Sequence, residues 1–219
     1  MKQVVDEQEE KRKLELKALQ HQINPHFLYN TLDSIIWMAE SKDENIVPMT
    51  EALSKLFRIS LSRGKELIQL SDELDHVRNY LFIQSMRHLN KFDYEISAPQ
   101  ELLSCKTLKL ILQPIVENSI YHGIKNMAGK GTIRITAYQE EEKLVIRLED
   151  NGIGMDAEML ERLLNEPVNE KSSKGSGIGV HNVNERIKLY FGQEYGLRFE
   201  SELDKGTTAF VYLPLLKNY

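Results

Sequence analysis

The sequence predicts an α+β fold, helical up to about residue 90 and mixed helix and strand beyond it. Three observations carry this prediction. Apolar residues recur at helical spacing through the first part, period-two alternation appears only after Asn90, and glycine and proline punctuate the second part where elements should end.

Taken in order, residues 6–39 place Leu16, Leu19, Ile23, Phe27, Ile35 and Met38 at spacings of three, four and their sums, one face of a helix. Its opening "DEQEEKRKLELKALQ" is charged and looks like the end of a coiled-coil or signalling helix. Pro25 interrupts this helix, with His26 directly after it. A second helix is expected over residues 47–62, ended by Gly64, and a third after Ser71, a candidate N-cap for "DELDHVRNYLFIQSMRHL". "FDYEIS" then alternates as a strand, and Pro99 marks the break before a helix across "TLKLILQPIVENSIYHGI". "GTIRITAYQ" and "KLVIRLED" read as an antiparallel pair around "EEE", and "DAEMLERLLN" as a short helix. The polar segment "NEPVNEKSSKGSGIG" has too few apolar residues to pack and is expected to be mobile. A helix, "GVHNVNERIKLYFG", and two strands, "GLRFESEL" and "GTTAFVYLPL", with Gly206 at their turn, complete the chain.

At 219 residues the chain can hold one large domain or two small ones, and 41% apolar with 28% charged residues is ordinary for a globular protein. A formal charge of -5 gives no bulk electrostatic reason to expect nucleic acid or an anionic membrane as partner. Cys105 is the single cysteine, so no intrachain disulfide or cysteine-rich zinc site fits, and a reducing, cytoplasmic setting is expected. The start lacks the apolar core of a signal peptide, and no uncharged apolar run reaches the roughly 18–20 residues that span a bilayer. The chain is therefore expected to be soluble. Its abrupt start in a charged helix suggests a piece of something larger.

Three features of the second part bear on chemistry. In "LVIRLEDNGIGM" a strand ends at Asp150 and is followed by Gly152 and Gly154, where glycine permits close approach of a ligand to the backbone; a plain strand-to-helix turn is the alternative. A dinucleotide fingerprint fails there, because the third glycine is missing, the acid precedes the glycines and the neighbouring strands look antiparallel. Gly175, Gly177 and Gly179 open a helix after the polar segment, where free N–H groups suit phosphate oxygens, or where a flexible linker simply ends. Asn118 lies on a helix whose stripe Leu108, Ile111, Ile115 and Val116 should be packed, leaving Glu117, Asn118, Tyr121 and His122 on another face.

The order asparagine helix, "DNGIGM" after a strand, polar segment, "GSGIGV" before a helix, then a strand beginning "GTT" resembles the ATP-binding domain shared by histidine kinases, Hsp90-type chaperones and type II topoisomerases. The resemblance covers roughly residues 92–216. It implies a two-layer α/β sandwich of the GHKL, or Bergerat, type that binds ATP and Mg²⁺. Carried over by position, Asp150 would accept a hydrogen bond from the adenine amino group, Gly152 and Gly154 would let the backbone pass close to the nucleotide, and Thr207 would hold water beside Asp150. Asn118 would ligate Mg²⁺ through its amide oxygen, appropriate to a hard cation. His122 would reach a phosphate, with packing as the alternative role, and Gly175, Gly177 and Gly179 would form the end of an ATP lid.

"LQHQINPHFLYNTLDSI", "RISLSRGKELIQLSDELDHVRNYLFIQSMR" and "LILQPIVENSIYHGI" further resemble the LytS/YesM-like sensor histidine kinases of bacterial two-component systems. That implies residues 1–90 as a dimerisation and phosphotransfer region and residues 91–219 as the ATP-binding domain. The implied chemistry is phosphorylation of His26 from ATP and transfer to an aspartate on a response regulator receiver domain, by a homodimer whose paired hairpins form a four-helix bundle. The parent protein would be membrane-anchored with this part in the cytoplasm. Asn30, at i+4 from His26, resembles the residue that orients water for dephosphorylating the regulator. The imidazole must be neutral to attack. Asn24, Pro25 and His26 fit N-cap, N1 and N2 of a fresh turn, whose dipole disfavours imidazolium; alternatively Pro25 kinks a continuous helix. Many kinases place an acid directly after the phosphorylated histidine, whereas here Phe27 stands there, which leaves Glu117 as a weak candidate for the base. His76 and His88 read as helix residues among charges, and no histidine spacing suggests a further metal site. Two readings compete with the kinase: a non-catalytic, ATP-gated interaction module of the same fold, and a serine kinase acting on an anti-sigma partner, which would not need His26.

Overall fold

The computed structural model describes residues 25–60, 66–125, 127–165 and 178–217, and the chain divides into two compact units, residues 1–63 and 64–219.

In the first unit α1 (Pro25–Glu40) and α2 (Ile46–Ser60) form an antiparallel hairpin, joined by a turn in which Lys42 takes a φ of 55°. Phe27, Thr31 and Met38 on α1 and Met49, Leu53 and Leu56 on α2 are buried. At 3.6 residues per turn, Tyr29, Leu32 and Ile36 fall on the opposite side of α1, and with Trp37 they are exposed, Tyr29 and Trp37 by more than 60%. The charged opening of the predicted first helix and its break at Asn24, together with Gly64, lie outside the described residues.

In the second unit a mixed sheet of five strands has the order β2-β4-β5-β7-β6, with β2 (Phe92–Ser97), β4 (Gly131–Glu140), β5 (Lys143–Asp150), β6 (Gly196–Glu202) and β7 (Gly206–Pro214). β2 runs parallel to β4 and every other pair is antiparallel, including β4 with β5 as the alternation implied. Ile133, Ile135, Leu144, Ile146, Leu148 and Val211 are fully buried, and outward positions of the same strands carry Arg134, Arg147 and Glu149. The helical layer contains α3 (Leu70–Arg87), α4 (Gln113–Asn118), α5 (Ala157–Asn165) and α6 (Ile178–Phe191). This is the two-layer α+β arrangement expected from the sequence. No helix among the described residues is long and apolar enough to cross a membrane.

Three local expectations are corrected. First, α3 packs within the sheet unit, so the compact division falls at residues 63/64, ahead of this helix and not after it. Second, Ser71 is not an N-cap: α3 starts at Leu70, after β1 (Leu67–Gln69), and the N–H groups of Leu70 and Ser71 donate to the carbonyls of Cys105 and Leu103, so no side-chain cap is needed. Third, the long helix expected across residues 107–124 is broken. β3 (Lys106–Leu108) pairs with β1, Leu110 turns the chain at a φ of 59°, α4 spans six residues, and a π-helix (Ser119–Ile124) follows, closed by Lys125 N–H donating to the Ile120 carbonyl at 2.9 Å.

Candidate functional site

β5 ends at Asp150, and the next turn folds back over its carboxylate. The Gly152 N–H donates to Asp150 Oδ1 at 2.9 Å, and the Ser119 hydroxyl and the Thr207 backbone N–H donate to the same carboxylate. Asp150 is 8% exposed. Gly152 is required by space: a Cβ there would stand 2.5 Å from the Gly123 Cα and carbonyl carbon, so two backbones meet with nothing between them. Gly154 is required by conformation, with a φ of 65° and a Cβ position that would overlap the Glu202 carbonyl. Thr207, paired with Asp150 across the β5–β7 ladder, shares a hydroxyl contact of 3.0 Å with Ser201, whose oxygen also accepts from the Met155 N–H.

The asparagine helix lies against this corner. Ser119 reaches Asp150, while Asn118 is half-buried and its side chain makes no hydrogen bond among the described residues. Its amide oxygen is thus available to a hard cation. His122 is exposed, and desolvation by the surrounding protein lowers its pKa, so its ring favours the neutral form. Gly179 lies in the first turn of α6, where its Cα position faces the Pro114 ring of α4 at a would-be Cβ distance of 3.2 Å. Gly175 and Gly177 lie outside the described residues. Sequence reasoning missed Ser119 and Gly123, the residues through which the asparagine helix touches the acid. Both stand within five residues of Asn118 in "NSIYHG", the signal that could have found them.

Burial, the largest influence on Asp150, raises its pKa, against the three hydrogen bonds that lower it. In the unfolded chain the carboxyl titrates near its ordinary value of about 4. The proton held by the folded state therefore stabilises it fully below that value, and the contribution is lost as pH rises through the raised value. Asn carries no such proton, so Asp150→Asn is expected to gain in melting temperature relative to the parent as pH rises from about 4 toward neutrality. A difference independent of pH in scanning calorimetry contradicts the raised pKa.

In the other unit His26 is exposed in the first turn of α1, and the Asn30 amide nitrogen stands 3.0 Å from its Nδ1 and 3.2 Å from its Nε2. Two near-equal distances mean that the amide faces the ring edge between the nitrogens; the bond roles follow the tautomer. His26, Asn30, Asp33 and Trp37 recur at four, three and four residues, so they share one face beside the exposed apolar patch. Phe27 points the other way into the hairpin, so an acid at that position would be buried. The first acid along the described part of the helix is Asp33, two turns on.

Residues 14–92 match the family described as "Histidine kinase", and residues 105–217 match "Histidine kinase-, DNA gyrase B-, and HSP90-like ATPase". The chain is 40% identical over 98% of its length to "Sensor histidine kinase YesM" of Bacillus subtilis, covering 36% of that protein. It is 34% identical over 91% of its length both to "Sensor histidine kinase BtsS" of Escherichia coli and to "Sensor protein LytS" of Bacillus cereus, covering 33% and 34% of them. The chain thus spans about a third of these relatives. Among solved structures, the catalytic domain of histidine kinase ThkA superposes with a TM-score of 0.51 at 16% identity, over 69% of this chain and 97% of that one. The histidine kinase domain of a blue-light activated kinase from Erythrobacter litoralis superposes with a TM-score of 0.50 at 16% identity, over 91% and 93%. At such identity these two show the fold alone. By its sequence matches, the chain belongs to the LytS/YesM-like sensor histidine kinases, and its second unit to the histidine kinase-, gyrase B- and HSP90-like ATPases.

Proposed function

We propose that this chain is the core of an ATP-dependent protein-histidine kinase of a two-component system, phosphorylated on His26 and passing the phosphoryl group to an aspartate of a response regulator receiver domain. The observation that carries this reading is an exposed histidine with an asparagine amide on its ring edge, in a chain whose other unit holds the buried Asp150 corner. An ATPase fold alone would not call for the first.

In this reading Asp150 accepts from the adenine amino group, with Gly152 and Gly154 clearing space along the base and Thr207 holding water beside it. The glycine-packed corner and the uncommitted Asn118 amide fit a nucleotide carrying a divalent cation. Asn118 would hold Mg²⁺ through its amide oxygen, and the cation would supply neutralisation of phosphate charge. His122 in its neutral form donates to a phosphate, and Gly175, Gly177 and Gly179 form the end of a lid. A neutral His26 ring nitrogen attacks the γ-phosphorus: the N–P bond forms as the bond to ADP breaks, ADP leaves, and the proton on the other ring nitrogen passes to solvent water at this exposed side chain. Asn30 orients water for the reverse, dephosphorylating direction at the regulator. Residue 90 separates the phosphotransfer part from the ATP-binding part in function, although α3 packs with the latter. The exposed face Tyr29, Leu32, Ile36 and Trp37 suits a homodimer built from paired hairpins, since a monomer rarely leaves such a patch in water. The cytoplasmic side of a membrane-anchored sensor is the setting this implies.

The test is incubation with γ-labelled ATP and Mg²⁺, then acid and base treatment. Acid-labile, base-stable label that moves to a receiver domain is expected; bound ATP without label identifies an ATP-gated module instead. Pro25→Ala is expected to slow labelling while leaving ATP affinity intact, because either role of the proline shapes the helix only beside His26. Unchanged labelling kinetics would remove the proline from the site.

A further inference from the structure

α3 carries a buried polar stripe. Glu73, His76, Tyr80 and Gln84 follow one another at three, four and four residues, and the first, second and fourth are 0% exposed, Tyr80 1%. Each member meets a successive point on the chain around Asn118, from Leu110 to Tyr121. Glu73 accepts the N–H groups of Leu110, Ile111 and Leu112 at 2.8, 2.8 and 2.9 Å, where α4 begins. His76 Nε2 lies 2.7 Å from Gln113 Oε1, and Gln113 in turn donates to Glu117 at 2.9 Å. Tyr80 hydrogen-bonds the Glu117 carboxylate, and Gln84 donates to the Tyr80 and Tyr121 hydroxyls at 2.6 and 3.0 Å.

A buried polar row of this kind is a poor way to hold two helices together. It leaves His76 Nδ1 without a partner and keeps a carboxylate in the core where apolar side chains would pack at lower cost. What it supplies is a single fixed register. α4 is too short to be stable by itself, Leu110 ahead of it holds a φ of 59° that a β-carbon disfavours, and a π-turn follows it. Glu117 is tied to α3 and Ser119 to Asp150. Asn118 stands between those two ties, so its amide goes where they put it.

We propose that Glu73, His76, Tyr80 and Gln84 are positioning residues for the divalent cation on the nucleotide, acting through the placement of Asn118. This rests on the reading of Asn118 as cation ligand. It gives α3 a role in nucleotide binding, beyond linking the phosphotransfer hairpin to the sheet.

The test uses the whole chain and the β,γ-imido analogue of ATP, with affinity measured by calorimetry in Mg²⁺ and again in EDTA. Tyr80→Phe removes one hydroxyl and keeps the ring, so the fold should survive. It is expected to weaken binding about tenfold in Mg²⁺, as loss of an outer support for a metal ligand does, and by less than about twofold in EDTA. Glu73→Gln should show the same pattern more strongly. Ile83→Val, on an apolar position of the same helix, should lower the melting temperature and leave the Mg²⁺ increment intact. Equal losses with and without Mg²⁺ in Tyr80→Phe, or no loss, overturn the inference. Asn118→Ala separates the two layers. If it keeps the full Mg²⁺ increment, the ligand reading falls and this inference with it. If it loses the increment while Tyr80→Phe does not, only the inference falls.

Discussion

His26→Gln is expected to abolish acid-labile phosphorylation while the protein stays folded and binds ATP with its original affinity. The side chain is exposed, so the change should move stability by no more than about 0.5 kcal/mol. Nucleotide affinity should hold because Asp150, Asn118 and the glycines belong to the other compact unit. Glutamine keeps a polar group of similar reach that can still meet Asn30, but it offers no nucleophilic lone pair of imidazole strength. Loss should therefore be complete, below the detection limit of the label. Asn30→Ala makes the informative partner: it removes the amide at 3.0 Å and keeps the nucleophile, so labelling should persist while dephosphorylation of the regulator slows. Label that survives in His26→Gln would place the phosphoacceptor elsewhere. Phe27 is buried and the first acid along α1 is Asp33, two turns on, so no carboxylate stands in the turn of α1 next to His26 among the described residues.

What could be read in the sequence was what short spacing decides. β4 alternates in burial along its first eight residues, and β4 with β5 and β6 with β7 form the antiparallel pairs that their connecting turns imply. Asp150, Gly152 and Asn118 could be singled out because each lies in a motif of a few residues. The failures share one cause. Leu108, Ile111 and Ile115 are spaced as on a helix, yet the backbone there follows the carboxylate of Glu73, 37 to 39 residues away, which bonds three successive N–H groups and fixes a turn. His76 reads only as a helix residue among charges, its neighbours Asp75 and Arg78 being charged. Those two pair with each other in water, and His76 turns inward to Gln113, also 37 residues distant. Ser71 looked like a cap because serine before acidic residues is one; carbonyls from residues 103–105 take that role. Periodicity reports which face is buried, but not which distant group will satisfy a backbone donor.

The same limit applies to Gly152, whose need for glycine comes from another glycine 29 positions earlier. Gly152→Ala is expected to weaken nucleotide binding by roughly 10–100-fold and to loosen the corner. A Cβ would lie 2.5 Å from two backbone atoms of Gly123 and 2.8 Å from Asp150 Oδ1. A flexible side chain could turn away from such a contact, but here the obstacle is main chain. Relief requires the β5 turn and the π-helix to separate. Such overpacking costs about 1–3 kcal/mol, equivalent to roughly 10–100-fold if it falls on affinity. Separation would stretch the 2.9 Å bond from Gly152 N–H to Asp150 and the Ser119 contact together, so the acid proposed to meet the adenine amino group loses its orientation along with its neighbours. Gly123→Ala supplies the graded control. Its Cβ would meet Asp150 Oδ1 at 3.0 Å, a side-chain atom that can give slightly, so a smaller loss is expected. Calorimetric titration with ATP checks both, alongside circular dichroism to show that the sheet persists. If Gly152→Ala binds ATP as the parent does, the corner beneath Asp150 is a packing feature and the nucleotide lies elsewhere.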